Sequence, residues 1–184
     1  MASTQIIGFY SGTEPDHRGR YVHEILNWPD DQLEAVHDYI QWLFPLSEKS
    51  GFNVAAPVLT QESIQEFRTR HDLQDRLRVS FLRMMNFYGF ETRFGKQITV
   101  TRAPKFGIKS NGWLSPSNHN HLRITRILKC STVLGLKAEA KALFSCLSEI
   151  YEDEKDKPVP AISYETMLYW EEAVGDSGRR KQTR

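Results

Sequence analysis

QESIQEFRTRHDLQDRLRVSFLRMMNFYG, residues 61–89, carries Leu73, Leu77, Phe81, Met84, Met85 and Tyr88 at intervals of mostly three or four positions. That spacing lines one face of an α-helix. Thr60 supplies a side-chain oxygen for the first unbonded amides, and Gly89 tolerates the left-handed turn that ends a helix. The earlier pair Ile64 and Phe67 does not run smoothly into the later stripe, which leaves either a bend near His71 or two successive helices. Helix is therefore the dominant element, and the flanking segments follow the same period.

Upstream, FYSGTEPDHRG is broken by Gly12, Pro15 and Gly19 and reads as turns, followed by a short helix in RYVHEILNW. Pro29, Asp30 and Asp31 favour a helix start, and the next helix is expected to run through QLEAVHDYIQWLF until Pro45. Downstream, KQITVTR alternates and reads as a short strand or an extended loop inside an irregular stretch, residues 92–112. Ser115 and Pro116 serve as cap and first position of a helix that Gly135 closes. LKAEAKALFSCLSEIY and SYETMLYWEEAV, the latter opened by Ser163, are two further helices. The expected fold is a single-domain all-α bundle of about six helices over residues 1–174, with one short β insertion and a disordered basic tail, 175–184.

The chain has 184 residues, 40% hydrophobic and 26% charged, enough to bury a core. Its 24 Lys and Arg against 23 Asp and Glu leave a net charge of +1. No whole-molecule field draws nucleic acid or acidic membrane, so any basic surface must be local. Cys130 and Cys146 lack zinc spacing and read as reduced thiols, though the sequence does not exclude a bond between them. No apolar run reaches transmembrane length, and the N-terminus has no signal-peptide pattern. The protein is expected to be cytoplasmic, with no cofactor and no metal.

Two polar sets stand out. In SPSNHNHLRITRILKC, residues 115–130, helical projection places Asn120, Ile124, Ile127, Leu128, Ser131 and Leu134 on a core face. His119, Arg123, Arg126 and Cys130 form a flanking stripe, and His121 lies about 200° from His119. That angle argues against one metal held by both histidines. In EAVHDYIQWLFP, apolar residues cover most of the circumference and leave the polar arc Glu34, His37, Asp38 and Gln41. Arc and stripe have complementary charge and could meet across a groove.

Three readings compete for that groove. One is a structural network that sets helix register. Another is a binding groove in which His119, Arg123, Arg126 and the early helix amides hold an anionic group of a peptide, protein or small molecule. The last is an enzyme using His37 or His119 as acid or base beside a carboxylate. The arginines at 68, 70, 76, 78 and 83 are interleaved with Glu62, Glu66, Asp72 and Asp75 and read as a solvated face, so nucleic acid is not an expected partner.

HDYIQWLFP (37–45) and NHNHLRITRIL (118–128) closely resemble the two signature blocks of the opioid growth factor receptor conserved domain. FYSGTEPDHRGRYVHEILNW and LGLKAEAKAL fit the same family, so the resemblance covers roughly residues 5–170 and is to the compact, stand-alone form of the domain. It implies receptor activity of the kind described for the animal member, toward the opioid peptide Met-enkephalin, with nuclear and membrane association. No catalytic residue set carries over. The expected function is a binding module, with Glu34, His37, Asp38, Gln41, His119, Asn120, Arg123 and Arg126 as candidate ligand contacts.

Overall fold

The computed structural model describes residues 2–51 and 53–175. The expected basic tail therefore lies, apart from Gly175, outside the described residues. Ten α-helices and one two-stranded sheet form among the described residues: α1 (Ala2–Ser11), α2 (Val22–Leu26), α3 (Asp30–Ala35), α4 (Ile40–Leu43), α5 (Gln61–Thr69), α6 (His71–Tyr88), β1 (Phe90–Arg93), β2 (Thr99–Arg102), α7 (Phe106–Lys109), α8 (His119–Leu134), α9 (Lys137–Glu154) and α10 (Tyr164–Ala173). The fold is mainly helical with a small β insertion. Six of the helices run nine residues or more. The chain divides into two compact units, Met1–Arg83 with Val133–Gly135, and Met84–Thr132 with Leu136–Arg184.

In the first unit, Thr60 caps α5 by accepting the Ser63 amide at 3.2 Å, and Arg70 separates α5 from α6. Of the two arrangements open at this point in the sequence, two helices is the one formed. Tyr10 of α1 meets Phe67 of α5 edge to face at 4.8 Å. The Tyr10 hydroxyl donates to the Leu43 carbonyl, which fixes α1 to α4. Helix α1 was not expected, and its last three residues open the segment expected to be turns. Its signal lies in Ile6, with Phe9 and Tyr10 three and four residues further on, all buried.

The expected single helix through residues 32–44 is corrected to α3 and α4 with an extended break between them. Val36 has φ −93° and ψ 133°. Tertiary partners replace the helical bonds there. The Leu33 carbonyl accepts the Tyr39 hydroxyl at 3.1 Å, and the Asp38 carbonyl accepts Asn53 Nδ2 at 2.8 Å. β-branched Val36 resists this least, because its propensity favours extended backbone.

In the second unit, β1 and β2 pair antiparallel, with Phe90 opposite Arg102 and Arg93 opposite Thr99. Strand β2 lies against α9. Gly89 ends α6 at φ +86°, and a Cβ there would sit 3.0 Å from Lys109 Cβ and 3.1 Å from Phe106 Cα. The start of α8 is also corrected. Ser115 and Pro116 do not open it. Asn118 does, accepting the Asn120 amide on Oδ1 at 2.9 Å while its Nδ2 donates to Ser115 Oγ and the Gly112 carbonyl. An Asx side chain that ties both the loop and the first helical amide outcompetes a serine that ties one. The predicted core face of α8 is buried as expected: Asn120, Ile124, Ile127, Leu128, Ser131 and Leu134 are all fully covered.

Candidate functional site

The polar arc predicted on one helix is dispersed by the break after α3. Glu34 is half-buried at the end of α3, His37 is exposed in the extended segment, and Gln41 is 5% exposed within α4. Gln41 Oε1 has no hydrogen-bond partner among the described residues. Asp38 instead joins a cluster built by the segment read as turns. Arg20 donates from Nη1 to Asp38 Oδ1 at 2.8 Å and from Nε to Asp16 Oδ2 at 2.7 Å. Asp16, whose side chain is fully buried, also accepts the amides of Arg18 and Arg20. Arg18 Nε adds a 3.3 Å contact to Asp38 Oδ2.

His17 completes the cluster. Its Nδ1 accepts Trp42 Nε1 at 3.0 Å, its Nε2 faces Asp38 Oδ2 at 3.5 Å, and its ring stacks on Trp42 at 5.9 Å. Burial would raise the Asp38 carboxyl, but the Arg20 hydrogen bond and charge, with His17 and Arg18 behind them, hold it below the usual carboxylate range. Sequence reading missed Asp16, His17 and Arg20 as a constellation. The available signal was four charged or titratable side chains in five residues of a loop, which need partners if the loop is to fold down.

The α8 residues fall into two groups. Asn120 Oδ1 accepts the Tyr88 hydroxyl at 3.4 Å and Arg123 Nη1 at 3.3 Å. Arg123 is 5% exposed, whereas His119 is exposed and Arg126 half-buried. The flanking stripe is thus partly core. Cys130 on the same stripe is fully covered, and both cysteines are free. Burial pushes the Cys130 thiol up, and pushes Cys146 up to about 11, so neither is a ready nucleophile.

His121 points away from His119, as the helical projection requires, into an aromatic pocket. Its Nε2 donates to the Trp113 carbonyl at 3.0 Å, and its ring is edge-on to Trp170 at 5.7 Å and to Trp113 at 6.4 Å. Its own carbonyl accepts Trp170 Nε1 at 3.2 Å. Burial pushes this imidazole below its ordinary value; the Trp113 carbonyl opposes the shift, and the charge of His119 adds to it.

The folded state therefore refuses a proton that the unfolded chain accepts below about pH 6.5. His121 contributes full stability above that value and progressively less as pH falls through it. Urea midpoints should decline from pH 7.5 to 5.5, with a shallower slope in His121→Gln, which keeps a donor without titrating. Asp38, with its lowered value, holds its contribution across this window, so it does not confound the comparison. Equal slopes for the two proteins would contradict the assignment.

Glu34, His37, Asp38 and Gln41 belong to the first unit, and His119, Asn120, Arg123 and Arg126 to the second. Within the second unit an open cavity of about 390 Å³ lies between α9 and α10, lined in part by Phe144, Tyr151, Met167 and Glu171. None of the eight predicted residues lines it. No helix among the described residues is long and apolar enough to cross a membrane.

Comparison with known proteins places this arrangement. The family description "Opioid growth factor receptor (OGFr) conserved region" matches residues 4–184. Opioid growth factor receptor-like protein 1 of Mus musculus is 34% identical over 172 residues, covering 92% of this chain and 36% of the relative. The opioid growth factor receptor of Homo sapiens is 35% identical over 167 residues, covering 89% of this chain and 24% of its own length. That of Rattus norvegicus is 41% identical over 122 residues, covering 65% and 21%. The chain thus spans about a third or less of the length of these curated relatives. No solved structure matches it. Matched along nearly its whole length, with both signature blocks placed in the fold described above, the chain belongs to the opioid growth factor receptor conserved-region family.

Proposed function

We propose that this chain is a recognition domain that binds a peptide or protein ligand without transforming it. One observation carries the reading: the buried polar side chains of the matched segments are spent on structure, while His37 and His119 are exposed. Both ring nitrogens of His17 are occupied, His121 is sealed among tryptophans, and Asp16 and Asp38 sit in the fork of Arg20. A general acid or base needs a ring nitrogen aimed at substrate. These residues instead make a rigid frame, which suits binding. The relatives are named receptors, and the peptide their name specifies, an opioid growth factor, is the first ligand to test.

Ligand contact is assigned to the outer residues of the α8 stripe. His119 and Arg126 would meet an anionic group such as a peptide carboxylate, supported by Arg123. The test is thermal stability of the chain with the opioid growth factor peptide, unrelated peptides, inorganic phosphate and nucleotides. A ligand of the folded state raises the melting temperature. A rise with a peptide, diminished in Arg126→Ala, is expected. Arg123→Ala should instead lose about 2 kcal/mol of stability, because it leaves the buried Asn120 amide short of a partner. A rise with phosphate or nucleotides but with no peptide would overturn the reading.

A further inference from the structure

We infer that the groove between α9 and α10 is a docking surface for a cationic, amphipathic helical segment of a partner protein. This adds a second surface to the recognition reading and rests on it. The argument begins with spacing. Helix α9 presents Phe144, Ser148 and Tyr151 to the groove, and α10 presents Tyr164, Met167 and Leu168. Each set recurs at three or four residues, so each helix offers one continuous stripe. Two such stripes side by side leave the notch that a third helix fills in helical packing. From residue 144 to 152 the stripe is about 12 Å long, enough for two turns of a ligand helix.

The lining is mixed: Phe144, Met167 and Leu168 lie beside Ser148, two tyrosines and the carboxylates of Glu152 and Glu171. Phe144, Met167 and Leu168 are only half-buried, and Tyr164 is 63% exposed. Glu152 and Glu171 stand on opposite helices. Helix α10 holds Glu165, Glu171 and Glu172 and no Lys or Arg. Glu152 is bridged by Lys155, while Glu171 makes no ion pair among the described residues. In a chain balanced overall to +1, this is a local negative field beside apolar side chains. It fits a segment with aliphatic residues on one face and Lys or Arg beside them. Exposed tyrosine faces add a preference for cations. An acidic or neutral helix would meet the same lining against the field.

The probe is a fluorescein-labelled Leu/Lys amphipathic peptide of about 14 residues, four helical turns, with its Leu/Glu counterpart as control. Anisotropy with the full chain should show saturable binding of the Leu/Lys peptide, and binding at least about tenfold weaker for the Leu/Glu peptide. Glu171→Lys and Leu168→Asp should each weaken the Leu/Lys peptide by a similar factor, with circular dichroism unchanged. Added salt should lower the affinity without abolishing it, because Phe144, Met167 and Leu168 add apolar contact to the charge pairing. Equal binding by wild type and both variants would overturn the groove assignment while leaving the recognition reading in place. Absence of binding by either peptide would overturn the groove as well, and the melting-temperature panel then judges the recognition reading separately. Binding that appears only after removal of residues 176–184 would assign the groove to the chain's own basic segment and end the partner assignment.

Discussion

Trp113→Ala is expected to cost about 4 kcal/mol and lower the melting temperature by on the order of 10 °C. Trp113 is 1% exposed and stands where the end of α6, β1, α7 and the start of α8 converge. Its ring meets Phe90 at 5.7 Å, Tyr88 at 5.8 Å, Phe106 at 6.2 Å and His121 at 6.4 Å. Its Nε1 donates to the Tyr88 carbonyl at 3.0 Å, one of the orphan acceptors at the end of α6. Truncation removes the largest side chain of this cluster and also strands a buried carbonyl. Trp113→Phe keeps most of the ring contacts and loses only the donor, so it should cost about 1–2 kcal/mol. Urea unfolding followed by circular dichroism measures both. A Trp113→Ala protein within 1 kcal/mol of wild type would show that the insertion is not held by this residue.

Arg20→Ala is the second large effect, about 3–4 kcal/mol. Arg20 is the shared partner of two carboxylates, one with a fully buried side chain. Its removal leaves Asp16 with only backbone donors and Asp38 with Arg18 and His17. An uncompensated buried charge costs more than the pair contributed. Arg20→Lys should recover little, because an ammonium point charge cannot span Asp16 and Asp38 as the planar guanidinium does.

The pH dependence has a definite sign. The Asp38 carboxyl is lowered in the folded protein, so its share of stability is present above the unfolded carboxylate value, about 3.9, and is lost as pH falls through the folded one. The gap between wild type and Arg20→Ala should therefore narrow in acid. A gap that widens below pH 4 would reverse the assignment.

This cluster also governs the correction at residues 36–39. The apolar period of residues 33–44 is helical, and of the residues it marks Leu33, Tyr39, Ile40, Trp42, Leu43 and Phe44 are buried, while Val36 is half-buried and Ala35 exposed. A periodic pattern reports burial, however, and a chain can bury the same side chains with one extended step between two short helices. What selects that step is the partners waiting for Asp38, and those come from residues 16–20 and 53. The arginines between residues 68 and 83 behave likewise. Arg70 and Arg78 pair with nearby carboxylates, as an interleaved face should. Arg83 instead leaves that face and donates to Asp30 and to the Trp28 carbonyl. Nothing within residues 61–89 announces that reach.

The helical character of α2, α5, α6, α8, α9 and α10, the caps at Thr60 and Ser163, the stop at Gly89 and the core face of α8 were determined by the sequence alone. Each depends on groups within a few residues of one another, and local sterics and backbone hydrogen bonding act at that range. The break after α3, the hidden helix α1, the anchoring of Asp16 and Asp38 by Arg20 and the acidic groove between α9 and α10 were decided only by tertiary structure. They arise because buried charges and backbone groups must find partners wherever the chain brings them, and a linear pattern records the need for a partner but not which residue meets it.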